Sequence, residues 1–428
     1  MRLKKIFSFI ILFSLVFIAI SMSNIRSDEI KNEGYRVVWK VKVNSKIISY
    51  PLVDSKNNVY VLNKTGLVKL DNNGTVLWFT KIKPHPWFGF AVYHDTLYVP
   101  AGGYLPFPHQ QILPRYLYSI SAADGRVIWK YAFPNNTWGG FSKVVVSENG
   151  YIFVNSDDGY TYAINPNGTL RWKLYTNAWD GAPPVIYNTT LYISSDKLYA
   201  ISFNGSINWI FVPDINEGIN ATGFIPTVDE NGNIYLSIGD YFYAISSEGK
   251  IMWRKQMGFY NKPVVWKDLL YVLSFSSLNR GERTVHLYCM DLLGNVKWDL
   301  ELSKADDFIT PVLGNNKIYI STTHIQPGGN VTGDIYAIAL TGKIMWHMHL
   351  NCSASISTGN NKTLYVAAEN GTLYSMVDLS LSPEPDEKMD MSSPELYYIV
   401  ATVVFIVMGA CVTIYYIKEV RKKDEGKS

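Results

Sequence analysis

The sequence predicts an all-β protein, an eight-bladed β-propeller followed by a C-terminal transmembrane helix. Three observations predict it. One eleven-residue phrase occurs twice, as YAISSEGKIMW at Tyr243–Trp253 and as YAIALTGKIMW at Tyr336–Trp346. Tryptophans recur every 37 to 51 residues, at Trp39, Trp78, Trp129, Trp172, Trp209, Trp253, Trp298 and Trp346. A glycine stands four residues before each of these except the first, at Gly74, Gly125, Gly168, Gly205, Gly249, Gly294 and Gly342. Self-similarity at such a period marks a repeat architecture, and four short strands per unit suggest propeller blades.

The elements follow in chain order. Residues 1–23 begin MRLKK, continue as an apolar run from Ile6 to Ile20 and end in Ser21-Met22-Ser23. This is the pattern of a secretory signal peptide, with an uncleaved N-terminal anchor as the alternative. The propeller is expected over residues 35–378. Each unit reads as strands A to D from inside out. A is often marked by proline (Pro51, Pro184, Pro226, Pro263, Pro311), B is a run such as NIYLS or TLYVA, C is the YAI strand, and D holds the tryptophan. Glycine between two alternating strands signals a hairpin turn that needs positive φ. The first D strand, at Tyr35–Val41, precedes any A strand, and the last A–B–C set ends at Met376 without a D. The N-terminal strand is therefore expected to complete the eighth blade and close the ring.

Residues 379–395 are rich in Pro, Ser and acidic side chains and read as a stalk. Leu396–Ile417 is apolar and free of charge, long enough to span a bilayer. The basic tail 418–428, with Lys418, Arg421, Lys422 and Lys423 beside that segment, is expected in the cytoplasm. The propeller is then outside the cell on a single-pass anchor, with the lipid bilayer as a partner through one helix. Eleven Asn-x-Ser/Thr sequons agree with a glycosylated ectodomain: Asn63, Asn73, Asn135, Asn167, Asn188, Asn204, Asn220, Asn330, Asn351, Asn361 and Asn370.

Composition narrows the function. Lys and Arg total 39 against 36 Asp and Glu, and no basic block points to nucleic acid. The cysteines Cys289, Cys352 and Cys411 are far apart, with no CxxC or Cys/His zinc spacing. Cys289 occupies the Ala position of the YAI strand and reads as a small buried residue.

The motif YAI-x-x-x-G-x-x-x-W resembles the repeat of the pyrroloquinoline-quinone (PQQ) type propellers, a family that also includes the propeller lipoprotein of the outer-membrane assembly machine. The resemblance covers about residues 35–378. It implies that each repeat tryptophan docks against the neighbouring blade. The family often places Asp two residues after the motif's Ala. Here Asp71 and Asp291 match, whereas Ser121, Asn165, Ser202, Ser246 and Ala339 depart from it. The resemblance speaks to fold, since catalytic and non-catalytic members share it.

Four tryptophans fall outside the docking set. Trp266 beside an A strand reads as core. Trp87, Trp138 and Trp179 share a place in the D-to-A connection, in HPWFGF, NTWGGF and NAWDGAP. Other D–A connections carry Phe224, Phe259 with Tyr260, and Asp306-Asp307-Phe308. B–C loops emerge on the same face of a propeller, and three are enlarged, at Gly102–Arg115, Ser274–His286 and Ser321–Asp334. The candidate ligand-binding set is Trp87, Trp138, Trp179, Asp180, Phe224, Tyr260, Asp306 and Asp307. Aromatic faces stack on sugars or flat cofactors, and the carboxylates suit hydroxyls or a cation. The competing reading makes the same aromatics a plug of the channel.

No catalytic residue and no resident cofactor or metal is evident. His347-Met-His349 lacks a third ligand, Asp229–Asn233 reads as a turn, and Asp157-Asp158-Gly159 as another. The expected role is a binding or scaffold module for a surface protein, glycan or small ligand. The alternative is a quinoprotein dehydrogenase of alcohols or sugars using PQQ with calcium. Under that alternative Trp179 stands for the floor under the quinone and Asp306 or Asp307 for the base, with no motif that carries those roles over. Adjacent cysteines and a CxxCH haem motif, which would favour that alternative, are absent from the sequence.

Overall fold

The computed structural model describes residues 34–84, 89–105, 111–134, 140–178, 182–213, 225–238, 241–257, 262–275, 284–308, 311–326, 328–360 and 362–380. They form eight antiparallel sheets, each with its strands in A–B–C–D order. Blade 1 holds Leu52–Val53, Val59–Asn63, Gly66–Leu70 and Val76–Lys81; blade 2 holds Ala91–Tyr93, Thr96–Leu105, Gln111–Ser121 and Val127–Ala132. Blade 3 holds Val145–Val146, Ile152–Asn155, Gly159–Ile164 and Leu170–Ala178; blade 4 holds Val185–Tyr187, Thr190–Ser194, Leu198–Ser202 and Ile207–Phe211. Blade 5 holds Thr227–Val228, Ile234–Ile238, Tyr241–Ile245 and Ile251–Gln256; blade 6 holds Val264–Trp266, Leu269–Phe275, Thr284–Asp291 and Val296–Lys304. Blade 7 holds Val312–Gly314, Lys317–Ile325, Val331–Ala339 and Ile344–Leu350, plus a short strand at Asp307–Phe308. Blade 8 combines Ala354–Thr358, Thr363–Ala368 and Thr372–Asp378 with the N-terminal Tyr35–Lys42 as its D strand. The eight-bladed ring and its closure by the N-terminal strand are as expected from the sequence.

Burial explains the strand patterns. Middle strands are covered on both faces by neighbouring blades, so Ile234–Ile238 is buried throughout. The outer Ile251–Gln256 alternates between exposed and half-buried, as an edge strand with one covered face must. The core is divided into eight apolar clusters, one at each junction of consecutive blades, including that between blades 8 and 1.

The glycine–tryptophan spacing has a physical cause. In blades 1 to 6 and in blade 8, the indole N–H donates to a carbonyl in the C–D turn of the next blade. Trp209 Nε1, for example, donates to Ser247 O at 2.9 Å. The glycine of that turn lies against the same indole: a Cβ on Gly249, at φ +82°, would stand 2.8 Å from Trp209 Cδ2. Only a residue without a side chain both adopts that φ and admits the ring. Beneath each indole lies the aromatic ring of its own blade's B strand, with centroids about 6 Å apart, as for Tyr235 and Trp253 at 6.2 Å.

Each D strand also carries a β-bulge one residue before its tryptophan. In blade 5, Ile245 pairs with Ile251 and Ala244 with Trp253, so Met252 is left over. The same shift occurs in the other seven blades. Bulges twist a strand and re-aim its side chains, which here points each indole toward the next blade.

At blade 8 two chain ends replace the hairpin. Gly34 O accepts hydrogen bonds from Leu379 N at 2.8 Å and Ser380 N at 3.0 Å, and Gly34 lies against Trp346 as the turn glycines lie against theirs. The Trp346 Nε1 has no hydrogen-bond partner among the described residues. A buried ion pair locks the seam: Lys317 Nζ lies 3.1 Å from Asp378 Oδ2 and donates to Ser380 O at 2.7 Å. Tyr319 also donates to Asp378, at 2.6 Å.

Two expectations are corrected. Trp266 is not core but 39% exposed; it ends an A strand at a tight turn, paired with Leu269, and projects past the packed faces. Asn63 is not a plausible glycan acceptor, because its side chain is buried and its Oδ1 accepts hydrogen bonds from Thr65 N, Thr65 Oγ1 and Gly66 N. Cys289 and Cys352 are free and buried, and burial pushes the Cys289 thiol up to about 11. Residues 1–33, the stalk from 381, the Leu396–Ile417 segment and the tail lie outside the described residues.

Candidate functional site

The D–A connectors and the B–C ends meet on one face. Connector residues pair with the ends of B strands through Ile47 with Asn63, Pro84 with Ala101, and Phe141 with Ser156. In blade 7 the connector Asp307–Phe308 becomes a strand on Thr322 and Thr323 of the long B strand. Trp87, Trp138, Trp179, Asp180, Phe224 and Tyr260 lie outside the described residues, as do Asn135, Asn220 and Asn361. Asp306 and Asp307 are described and exposed. Asp306 is engaged locally: its Oδ2 accepts Ile325 N at 2.6 Å.

Three polar residues that the sequence did not single out lie on D–A connectors of this face. Tyr50 precedes the blade 1 A strand, and burial together with Asp307 of blade 7 raises its hydroxyl pKa to about 12. Lys143 precedes the blade 3 A strand; burial lowers its ammonium from the ordinary value. Lys262 precedes the blade 6 A strand and is lowered by burial and then by the charge of Lys143. Neither pair belongs to adjacent blades: Tyr50 and Asp307 precede the A strands of blades 1 and 7, and Lys143 and Lys262 those of blades 3 and 6. Tyr50 and Lys143 still touch water, as side chains do on a channel wall that protein encircles. The stem of Lys143 lies over Gly89, where an added Cβ would stand 2.5 Å from Lys143 Cγ.

Two anchors stiffen this face. Arg115, within the blade 2 strand Gln111–Ser121, is fully buried and donates to Ser156 Oγ at 2.8 Å and Pro134 O at 2.9 Å. It lies 3.5 Å from Asp158 Oδ2 and stacks on Phe141, at 5.2 Å. The Asp157-Asp158-Gly159 turn thus receives the guanidinium of blade 2. A lone arginine within the apolar run ILPRYLYSI was the available signal. In blade 7, Asp334 lies between two imidazoles, with His324 Nε2 at 2.9 Å from Oδ2 and His349 Nδ1 at 2.9 Å from Oδ1. His347 instead stacks on Tyr336, at 6.0 Å, so His347 and His349 do not act together.

Asp229–Asn233 is a turn: Asp229 Oδ1 accepts Asn231 N at 2.9 Å and Asn233 N at 2.8 Å. Among the described residues no three His, Cys, Asp or Glu side chains converge to hold a metal ion.

Residues 115–223 match the family model PQQ_2, described as outer membrane protein assembly factor BamB. No curated protein sequence matches the chain. Among solved structures, BamB from Moraxella catarrhalis is similar with a TM-score of 0.63 at 12% identity, covering 80% of this chain and 99% of that one. The C-terminal WD40 domain of Sif2 gives 0.58 at 9%, covering 80% and 98%. The designed protein Ika8 gives 0.56 at 10%, covering 78% and 96%. In its repeat and in its fold, the chain resembles the PQQ-like β-propellers.

Proposed function

We propose that the chain is a membrane-tethered extracellular propeller that works as a binding scaffold and takes its partner at the loop face. One feature carries the reading: Tyr50, Lys143, Lys262 and Asp307 stand on the D–A connectors of four blades, on the face where the B–C ends also lie. A rigid ring that presents unlike polar groups from several connectors on one face is suited to recognition. The matched family description, an assembly factor, favours a protein partner; the aromatic connectors favour a glycan or small ligand on the same face. The tether is read from the charge-free segment Leu396–Ile417 and the basic tail.

The test is a titration of the full chain in detergent, followed by tryptophan fluorescence, with PQQ plus calcium, neutral and acidic sugars, and acidic peptides. Saturable one-to-one binding that is lost in the Lys143→Ala, Lys262→Ala double variant supports the reading. Binding of PQQ with calcium that is lost in Trp179→Ala replaces it with the quinoprotein alternative. Silence across the panel at ~100 µM, a limit near −5 to −6 kcal/mol, removes the small-ligand version. Extraction of the chain from membranes by alkaline carbonate removes the tether.

A further inference from the structure

We propose that the outer strands of blades 8, 1 and 2 form a docking surface for an anionic lipid bilayer. The idea deepens the tethered reading and takes its location from it.

The residue two before each docking tryptophan is an aliphatic side chain exposed by 39–47% in all eight blades. This alone is an edge-strand habit. In three consecutive blades the next residue is also aliphatic and about half exposed, at Val38, Leu77 and Ile128 (51%, 50% and 50%), and Phe79 adds 48%. The corresponding residues of blades 3, 4 and 6 are Arg171, Asn208 and Lys297. The same three outer strands carry Arg36, Lys40, Lys42, Lys81 and Lys130 and no Asp or Glu. Glu33, two residues before the blade 8 strand, lies outside the described residues; the described carboxylates nearest in sequence belong to turns, where Asp71 accepts Asn73 N and Thr75 N and Asp124 lies 3.8 Å from Arg126.

Aliphatic tips interleaved with long basic side chains fit the boundary between acyl chains and anionic headgroups. The alternative occupant, an added β-strand from a protein, meets an obstacle. The bulges at Val38, Leu77 and Ile128 interrupt each edge, and bulged edges resist strand pairing. Position selects this arc over others. The chain ends Gly34 and Ser380 meet at blade 8, and the charge-free segment starts at Leu396, so the linking 381–395 stretch spans at most ~50 Å. Blades 4 and 5 also expose Ile207, Ile210, Ile251 and Met252. They lie across the ring from that exit, and the outer strand of blade 4 bears no cation.

The repeat supplies a matched control. Leu77 and Met252 hold the same place in blades 1 and 5, on opposite sides of the ring. The full chain, with Cys411→Ser, is labelled at Leu77→Cys or at Met252→Cys with an environment-sensitive fluorophore. It is then mixed with phosphatidylcholine–phosphatidylglycerol vesicles or with phosphatidylcholine alone. We expect a blue shift, and quenching by a headgroup-borne quencher, at residue 77 on anionic vesicles and not at residue 252. Lys40→Glu, Lys81→Glu and Lys130→Glu together should abolish it. Equal responses at the two sites, no response on anionic vesicles, or full glycan occupancy of Asn73 beside the arc overturns the proposal. The label reads the arc on added vesicles whether or not the chain inserts, so loss of the tether, seen by carbonate extraction, is a separate result.

Discussion

Gly249→Ala tests the interlock between blades directly. Gly249 has φ +82°, and its new Cβ would stand 2.8 Å from Trp209. The backbone cost of alanine in the left-handed region is about 1–2 kcal/mol. The indole has little room to retreat, because its N–H is held by Ser247 O at 2.9 Å and its ring rests on Tyr192 at 5.9 Å. Overpacking of this kind adds about 1–3 kcal/mol. Gly329 isolates the first cost, since it has φ +84° and nothing within 4 Å of its added Cβ. Urea unfolding followed by tryptophan fluorescence should therefore show Gly329→Ala losing about 1–2 kcal/mol. Gly249→Ala should lose about 1–3 kcal/mol more. Equal losses would mean that the glycine is required for backbone conformation alone and that the indole contact contributes nothing.

Three further outcomes are expected. Trp209→Phe should cost about 0.5–1.5 kcal/mol beyond its lost ring area, because it orphans the Ser247 carbonyl. Trp346→Phe should lack that part, having no described acceptor; the two differ in urea midpoint. Lys317→Met should destabilise the ring by about 3–5 kcal/mol by leaving the Asp378 carboxylate buried without its cation. Burial alone would raise that carboxyl, but hydrogen bonds from Ser380 and Tyr319 and the charge of Lys317 outweigh it and hold it low. With the folded value depressed, its stabilisation is present above the ordinary carboxylate value near pH 4 and is lost as pH falls below it. Thermal melts of the parent and of Asp378→Asn from pH 7 downward should converge in that acid window. Arg115→Met should loosen the connector at Pro134 and Phe141, read as faster amide exchange there with the outer strands unchanged; uniform exchange across blades 2 and 3 would make Arg115 a general core residue.

What could be read from the sequence was whatever repeats. Gly249 and Trp253 announce themselves because seven copies of the pair share one spacing. Gly34 escaped notice because it stands five residues before Trp39, a spacing set by two chain ends instead of a hairpin. Tyr50, Lys143, Lys262 and Asp307 share a face only because the ring turns every D–A connector to the same side. That relation between blades has no counterpart in linear spacing. Arg115 was visible only as an oddity, since its partners Ser156 and Asp158 belong to the next blade. Trp266 misled because an aromatic beside an A strand looks like core, whereas its place at the end of the strand lies beyond the packed faces.

The junction at Gly34 also says something about where such a chain can be cut. At blade 8 the protein dispenses with a C–D hairpin, and Leu379 and Ser380 hold Gly34 by two backbone hydrogen bonds. A broken turn is thus already compatible with a closed ring. The other seven C–D turns also set a glycine against an indole and add a hydrogen bond from its N–H, so each is a candidate opening for a circularly permuted chain once residues 34 and 380 are joined by a linker. The positions of the termini then become a matter of topology and not of stability: the ring has no first blade, only a place where the sequence happens to start.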